Sequence, residues 1–217
     1  MSIIDLSLLI DNDCQTCGTS WHEKVNIERK GTLETVGRNT SKIVLGSHSA
    51  THMDAPLHFM ENGHDIASTS LEKCVGEVTC VDLRHIGAGE KVGLDVIRKF
   101  DVSSRMLFVF SWYKKWKTDS FYSSFPCFTE EAIHYLIDGG IELMAMDTPS
   151  PDDGSAITQK DDSPNHKRLL ANDVVIVEYL SNTDEIDFTK KYEIIALPLK
   201  IADADGSPAR VILREVL

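Results

Sequence analysis

Three histidines and an aspartate fall within eleven consecutive positions: Gly46-Ser-His48-Ser-Ala-Thr-His52-Met-Asp54-Ala-Pro56-Leu-His58-Phe59. A fourth histidine, His64, follows shortly after, and the chain has only eight. Imidazole and carboxylate are the groups that hold a borderline divalent cation such as zinc. The segment is therefore a metal-site candidate, and it constrains the fold, because its polar side chains must converge. His48 and His52 are spaced i, i+4, which stacks them on one helix face. His52 and Asp54 are spaced i, i+2, which suits an extended chain. Pro56 disfavours regular helix at Ala55. The resulting expectation is a strand end that turns into a loop or short helix. Isolated histidines are commonly plain loop residues; this density of ligand groups argues against that reading here.

The rest of the chain must then supply a sheet and its cover. At 217 residues it is long enough for one domain with a substantial core. Apolar runs predict strands at 2–10, 23–31, 42–46, 77–83, 105–111, 141–147, 173–178, 192–198 and 209–215. The run 42–46 is expected to deliver the chain into the histidine segment. Helical spacing or capping predicts helices at 94–100, 129–139 and 165–171, with short helices or turns at 70–74 and 183–187. In 129–139, Thr129 is the expected N-cap and Gly139 the stop. Many strands with few helices imply a sheet-rich α/β domain.

The formal net charge of -12 disfavours nucleic acid and anionic membrane as partners, since both reward a basic surface. No apolar run is long enough for a transmembrane helix. The apolar N-terminus lacks a basic start and is interrupted by Asp5, so it does not read as a signal peptide. Five cysteines, an odd number, suit reduced thiols in the cytoplasm. Cys14-Gln-Thr-Cys17 has no second pair to complete a four-thiolate site, so two loop cysteines near a pocket mouth are expected. Trp21 on the same loop either walls a pocket or simply packs. The aromatic stretch 112–128 is either a lid or subunit contact, or a loop packed on its own domain.

Glu178 shares a strand face with Val174 and Ile176. A carboxylate on a buried face is costly unless it is paired or binds a metal; at the strand end it could equally lie in water. His166, twelve residues upstream at the start of a helix, is within reach if helix and strand form a hairpin. These two side chains are candidates to complete the sphere begun at His48.

The segment His48-Ser-Ala-Thr-His52-Met-Asp54-Ala-Pro56-Leu-His58-Phe59 resembles the His-x-Gly-Thr-His-x-Asp-x-Pro-x-His-Phe signature of the putative cyclase family, which includes bacterial kynurenine formamidase (arylformamidase) and isatin hydrolase. The resemblance extends through Asp5-Leu-Ser7, Val81-Asp-Leu83, Met146-Asp-Thr-Pro-Ser150, His166, Val177-Glu178 and Ala196-Leu-Pro-Leu-Lys200. It implies a swivelling β/β/α domain, usually a homodimer or higher homo-oligomer, that hydrolyses a small-molecule substrate. By the resemblance His48, His52 and Asp54 are ligands of a first metal, and Asp54 bridges to a second where two are bound. His166 is a ligand of the second, Glu178 contacts the metals, and His58 is the acid/base. The implied cofactor is Zn2+, as one or two ions, with Mn2+ equally suited to mixed nitrogen and oxygen ligands. The implied reaction is hydrolysis of an aryl formamide. The alternatives are opening of a cyclic amide or lactone, or metal or ligand binding without catalysis. Two departures stand out. Ala50 replaces the usual glycine, where its methyl is expected to crowd the site slightly. The N-terminal loop reads Asp13-Cys-Gln-Thr-Cys-Gly-Thr-Ser-Trp21 instead of a Pro-Gly-Asp-like run with a substrate-contacting aromatic residue.

Overall fold

The computed structural model describes residues 2–154 and 163–216. The strands in chain order are β1 (Ile3–Asp5), β2 (Asn26–Gly31), β3 (Thr40–Val44), β4 (His52–Asp54), β5 (Val75–Asp82), β6 (Lys91–Val92), β7 (Arg105–Val109), β8 (Cys127–Phe128), β9 (Leu143–Met146), β10 (Val175–Glu178), β11 (Lys191–Pro198) and β12 (Gly206–Val216). The helices are α1 (Leu33–Val36), α2 (Leu71–Cys74), α3 (Leu94–Ile97), α4 (Glu130–Asp138) and α5 (Pro164–Ala171).

The main sheet runs β12-β11-β5-β7-β9-β10-β4 and closes on itself, because β12 pairs with both β11 and β4. β5, β7, β9 and β10 are parallel, as apolar strands covered on both faces can be. The closure depends on the length of β12. Residues 209–216 pair with β11, while Gly206, Ser207 and Pro208 pair with Asp54, Met53 and His52. β1 attaches to the far end of β12. This barrel-like core is the sheet-rich α/β architecture that the apolar runs predict.

Alternation along the strands makes two cores. Leu107 and Val109, Leu143 and Ala145, Val175 and Val177, with Met53, pack inside the ring against Ile194 and Val211. Met106, Phe108, Met144 and Ile176 point outward, where α4 and α5 cover them with Ile133, Leu136 and Leu169. The aromatic segment 112–128 belongs to this outer layer. Trp112, Phe121, Phe125 and Phe128 are buried in it, so the stretch packs on its own domain. α4 begins as its sequence predicts, with the Thr129 hydroxyl accepting from the Ala132 N–H at 3.3 Å.

Two expected strands differ in extent or in pairing. The N-terminal strand is only Ile3–Asp5, because the chain then leaves the edge of β12: Ser7 bridges Leu180, and the Leu8 N–H donates to Thr51 Oγ1 at 2.8 Å. The run expected to deliver the chain into the histidine segment does so as β3, but among the described residues β3 pairs with β2 alone, as a hairpin beside the main sheet. Its polar start, Thr40-Ser-Lys, suits the largely exposed position it takes.

Candidate metal centre

β4 carries the first part of the site. His52 and Asp54 alternate with Met53, and Met53 faces the barrel interior, so both polar side chains point to the outer face. Glu178 lies directly opposite His52 across the β10–β4 ladder and shares that face. The face is covered by α5, whose first turn brings in His166. That turn is held by Asp152, whose Oδ1 accepts from the Asn165 N–H at 2.7 Å and whose Oδ2 accepts from the His166 N–H at 3.0 Å. After Ala55, Pro56–His58 forms one turn of 3₁₀ helix with the proline at its start and His58 at its end, on the rim of the cleft.

The structure brings the six side chains together. His48 Nδ1 lies 2.9 Å from Asp54 Oδ1, and His52 Nε2 lies 3.5 Å from the same atom. His52 Nε2 is 3.4 Å from Glu178 Oε2, and His166 Nε2 is 3.1 Å from Glu178 Oε1 and 3.6 Å from Asp54 Oδ2. Ligand atoms of His52, Asp54 and Glu178 lie within 4.8 Å of one another, as do those of His48, Asp54 and His58. His64, close in sequence, stands apart: its Nε2 contacts Asp173 Oδ1 at 2.8 Å in a surface ion pair.

The donors fit a divalent cation. Both oxygens of Asp54 and Oε1 of Glu178 are buried and have no hydrogen-bond partner, although histidine nitrogens crowd them. Buried carboxylate oxygens without partners are costly, and a cation would satisfy them. The other nitrogens of the ring set are already engaged, as orientation of metal-binding imidazoles requires. His52 Nδ1 contacts the Ala50 carbonyl at 2.8 Å, His166 Nδ1 contacts Asp152 Oδ2 at 2.7 Å, and His48 Nε2 contacts Asp205 Oδ2 at 2.8 Å. Burial pulls the His48 imidazolium down, but Asp54 and Asp205 outweigh it and raise its pKa to about 10. Burial likewise opposes the charge on His166, and Glu178, Asp152 and Asp54 together push its pKa well above the ordinary histidine value. Burial raises the Asp54 carboxyl, but His48 and the other rings bring it well below the usual range.

The cluster forms one wall of a cleft of about 240 Å³. Phe59, Tyr122 and Tyr179 give it an aromatic surface, and Trp21, 70% exposed, stands at its edge. Cys17 and His22 line the side supplied by the N-terminal loop, with Cys17 Sγ 2.7 Å from His22 Nδ1. Burial, reinforced by the neighbouring His48, His52 and His58, drives the His22 pKa down to about 4, so His22 is neutral at pH 7. Cys14 is buried behind the loop, and neither cysteine is in a disulfide.

Asp205, Asp152 and His22 were not foreseen from the sequence. Asp205 lies in an Asp-Gly-Ser-Pro run that reads as a turn, and Asp152 in a Pro-Asp-Asp-Gly run of the same kind. Their partners become visible only through strand register and the seating of α5. Ala50 also acts differently from expectation. It adopts φ +53°, the left-handed region that favours glycine, so the strain lies in the backbone, while its methyl is buried beside Cys14 and Val25.

A family model described as Putative cyclase matches residues 4–153. The chain belongs to that family. Kynurenine formamidase of Erythrobacter litoralis (strain HTCC2594) is 34% identical over 178 residues, covering 82% of this chain and 78% of that protein. Kynurenine formamidase of Bacillus anthracis is 26% identical over 98% of this chain and 97% of its own length. Among solved structures, an isatin hydrolase bound to the product analogue thioisatinate superposes with a TM-score of 0.86 at 22% identity, covering 99% of this chain and 92% of that one. A potential metal-dependent hydrolase with cyclase activity gives 0.79 at 26% identity, over 98% and 96%. The likeness of fold thus extends over nearly the whole chain.

Proposed function

We propose that this cyclase-family protein is a metal-dependent hydrolase that cleaves the C–N amide bond of a small aromatic substrate, as an arylformamidase does. The observation that carries this reading is the convergence of three histidine rings on the partnerless oxygens of Asp54 and Glu178, inside an aromatic cleft with His58 at its rim. The similarity to kynurenine formamidases supports the reaction class. His48, His52, Asp54, His166 and Glu178 would hold the metal, taken as Zn2+ in one or two ions. When bound, such an ion supplies Lewis-acid charge beside the scissile carbonyl and lowers the pKa of water there from about 16 to about 7.

The chain's own residues do the rest. Phe59, Tyr122 and Tyr179 flank an aromatic ring and direct its substituent to the cluster. His58 sits at the cleft edge of the cluster, more exposed than the other rings, with its side chain 26% exposed and its Nδ1 on Asp205. It can therefore take a proton from the attacking water and pass it to the leaving amine. Ring opening of a cyclic amide or lactone is the second reading. The likeness of fold to an isatin hydrolase raises it.

The chain is proposed to act as one domain, in the cytoplasm, where its five free thiols remain reduced. A homodimer or larger homo-oligomer is supported by the β2–β3 hairpin, which exposes Leu33, Val36 and Ile43, since a lone two-stranded hairpin is marginal in water. The function is tested with purified protein of measured metal content, assayed on N-formylkynurenine and isatin before and after chelation and with zinc or manganese restored. Chelator-sensitive turnover of the formamide supports the first reading, and turnover of isatin alone the second. Bound metal with no hydrolysis of either substrate, nor of a wider amide and lactone panel, would make this a binding protein.

A further inference from the structure

The turn before β12 brings a carboxylate onto the site from the opposite side of the barrel seam. Gly206 pairs with Asp54, and the carbonyl of Asp205 accepts from the Ala55 N–H at 2.9 Å. This approach needs a residue without a side chain at position 206. A Cβ there would lie 2.8 Å from the Met53 carbonyl oxygen and 3.1 Å from His48 Cε1. With that space free, the Asp205 side chain reaches two rings at once. Its Oδ2 lies 2.8 Å from His48 Nε2 and 2.9 Å from His58 Nδ1, and the two ring centroids are 4.1 Å apart.

We propose that Asp205 is a positioning residue that holds His58 in the tautomer with its proton on Nδ1 and fixes that ring against His48. The carboxylate can only accept, so His58 Nδ1 must donate to it. In neutral His58 the remaining lone pair is then on Nε2, the nitrogen available to the cleft. The same oxygen orients His48, whose Nδ1 faces Asp54. One carboxylate thereby ties a ring of the inner cluster to the ring that moves the proton. A carboxylate that orients an imidazole for proton transfer in this way need not touch the substrate. The effect on turnover rests on the hydrolase reading above; the effect on the His58 tautomer does not.

The test compares wild type, Asp205→Ala and Asp205→Asn, each checked for folding by near-ultraviolet circular dichroism. The first readout is the ¹⁵N chemical shifts of the His58 ring in ¹⁵N-histidine-labelled, metal-free protein at pH 8. Wild type should give the Nδ1–H tautomer, and Asp205→Ala should shift the ring toward Nε2–H. Asp205→Asn, which keeps a neutral acceptor in place, should lie between, and it serves alone if the alanine variant does not fold. The second readout is kinetic: in Asp205→Ala with its metal content restored, kcat should fall by about 10²-fold, KM should stay within about threefold, and Asp205→Asn should recover part of the loss. An unchanged His58 tautomer overturns the proposal. So does a kcat within about threefold of wild type where the wild type turns over. If the tautomer shifts but wild type hydrolyses nothing, the hydrolase reading fails and the placement of His58 by Asp205 stands.

Discussion

His58 and His52 lie six residues apart on one segment, yet their surroundings assign them different tasks. His52 is sealed, 1% exposed, with Nδ1 tied to the Ala50 carbonyl and Nε2 between two carboxylates. His58 has one nitrogen on Asp205 and its ring edge open to the cleft. His58→Ala should therefore leave the metal content unchanged while kcat for the preferred amide falls by about 10²- to 10⁴-fold. Elemental analysis beside steady-state kinetics measures both, and wild-type turnover by the variant would remove His58 from the mechanism. At this scale the sequence was informative wherever ligand groups cluster. The spacing of His48, His52 and Asp54 already demands convergence, and Glu178 is conspicuous as a charge on a buried face. Asp205 and Asp152 carry no such mark, because an aspartate beside glycine or proline reads as a turn residue. What they accept from is settled by chain segments more than a dozen positions away.

Among the elements, β7, β9 and β10 were legible because they are continuous apolar runs, and α4 because its cap and stop are written in Thr129 and Gly139. The hairpin β2–β3 and the short β1 were not, since pairing partners decide whether an extended run joins the main sheet. β9 shows a further consequence of burial at a strand end. Asp147 follows it and is fully buried, with Oδ1 accepting from the Phe110 N–H at 2.9 Å and Oδ2 from Thr183 Oγ1 at 2.7 Å. Burial raises its pKa to about 6, although these hydrogen bonds pull the other way. The folded pKa is thus above the unfolded one, near 3.8. The folded state binds more protons between these values, so this group's contribution to stability is full below about pH 4 and is lost as pH rises through about 6. Asp147→Asn keeps an acceptor for the Phe110 N–H and turns an uncharged NH2 toward Thr183, whose hydroxyl can then accept instead of donate. It should match wild type near pH 4 and gain on it toward pH 7, by up to about 3 kcal/mol at 1.4 kcal/mol per pKa unit. Urea unfolding at pH 4, 5, 6 and 7 measures this, and a stability difference that does not change with pH would assign the carboxylate another role.

For the molecule as a whole, the candidate ligands are spread across the barrel seam: His52 and Asp54 on β4, Glu178 on β10, His166 on α5, and His48 on the loop before β4. β4 is only three residues long and joins β10 to β12, so it closes the ring with few backbone pairs of its own. An ion held by these side chains would tie β4, β10 and α5 together at the weakest seam of the sheet. It would also remove the cost of leaving the Asp54 and Glu178 oxygens without partners. Binding to the folded state alone stabilises it by about 4 kcal/mol at a thousand times the dissociation constant. For a domain of about 200 residues each kcal/mol is worth about 2–4 °C, so chelation should lower Tm by roughly 8–16 °C, reversibly. Asp54→Asn should abolish the difference between chelated and metal-saturated protein, because Asp54 faces the histidines on both sides of the cluster. Differential scanning calorimetry of both proteins, with and without chelator, measures this. Equal Tm values for wild type in the two conditions would mean that the five side chains do not hold a metal that matters to the fold.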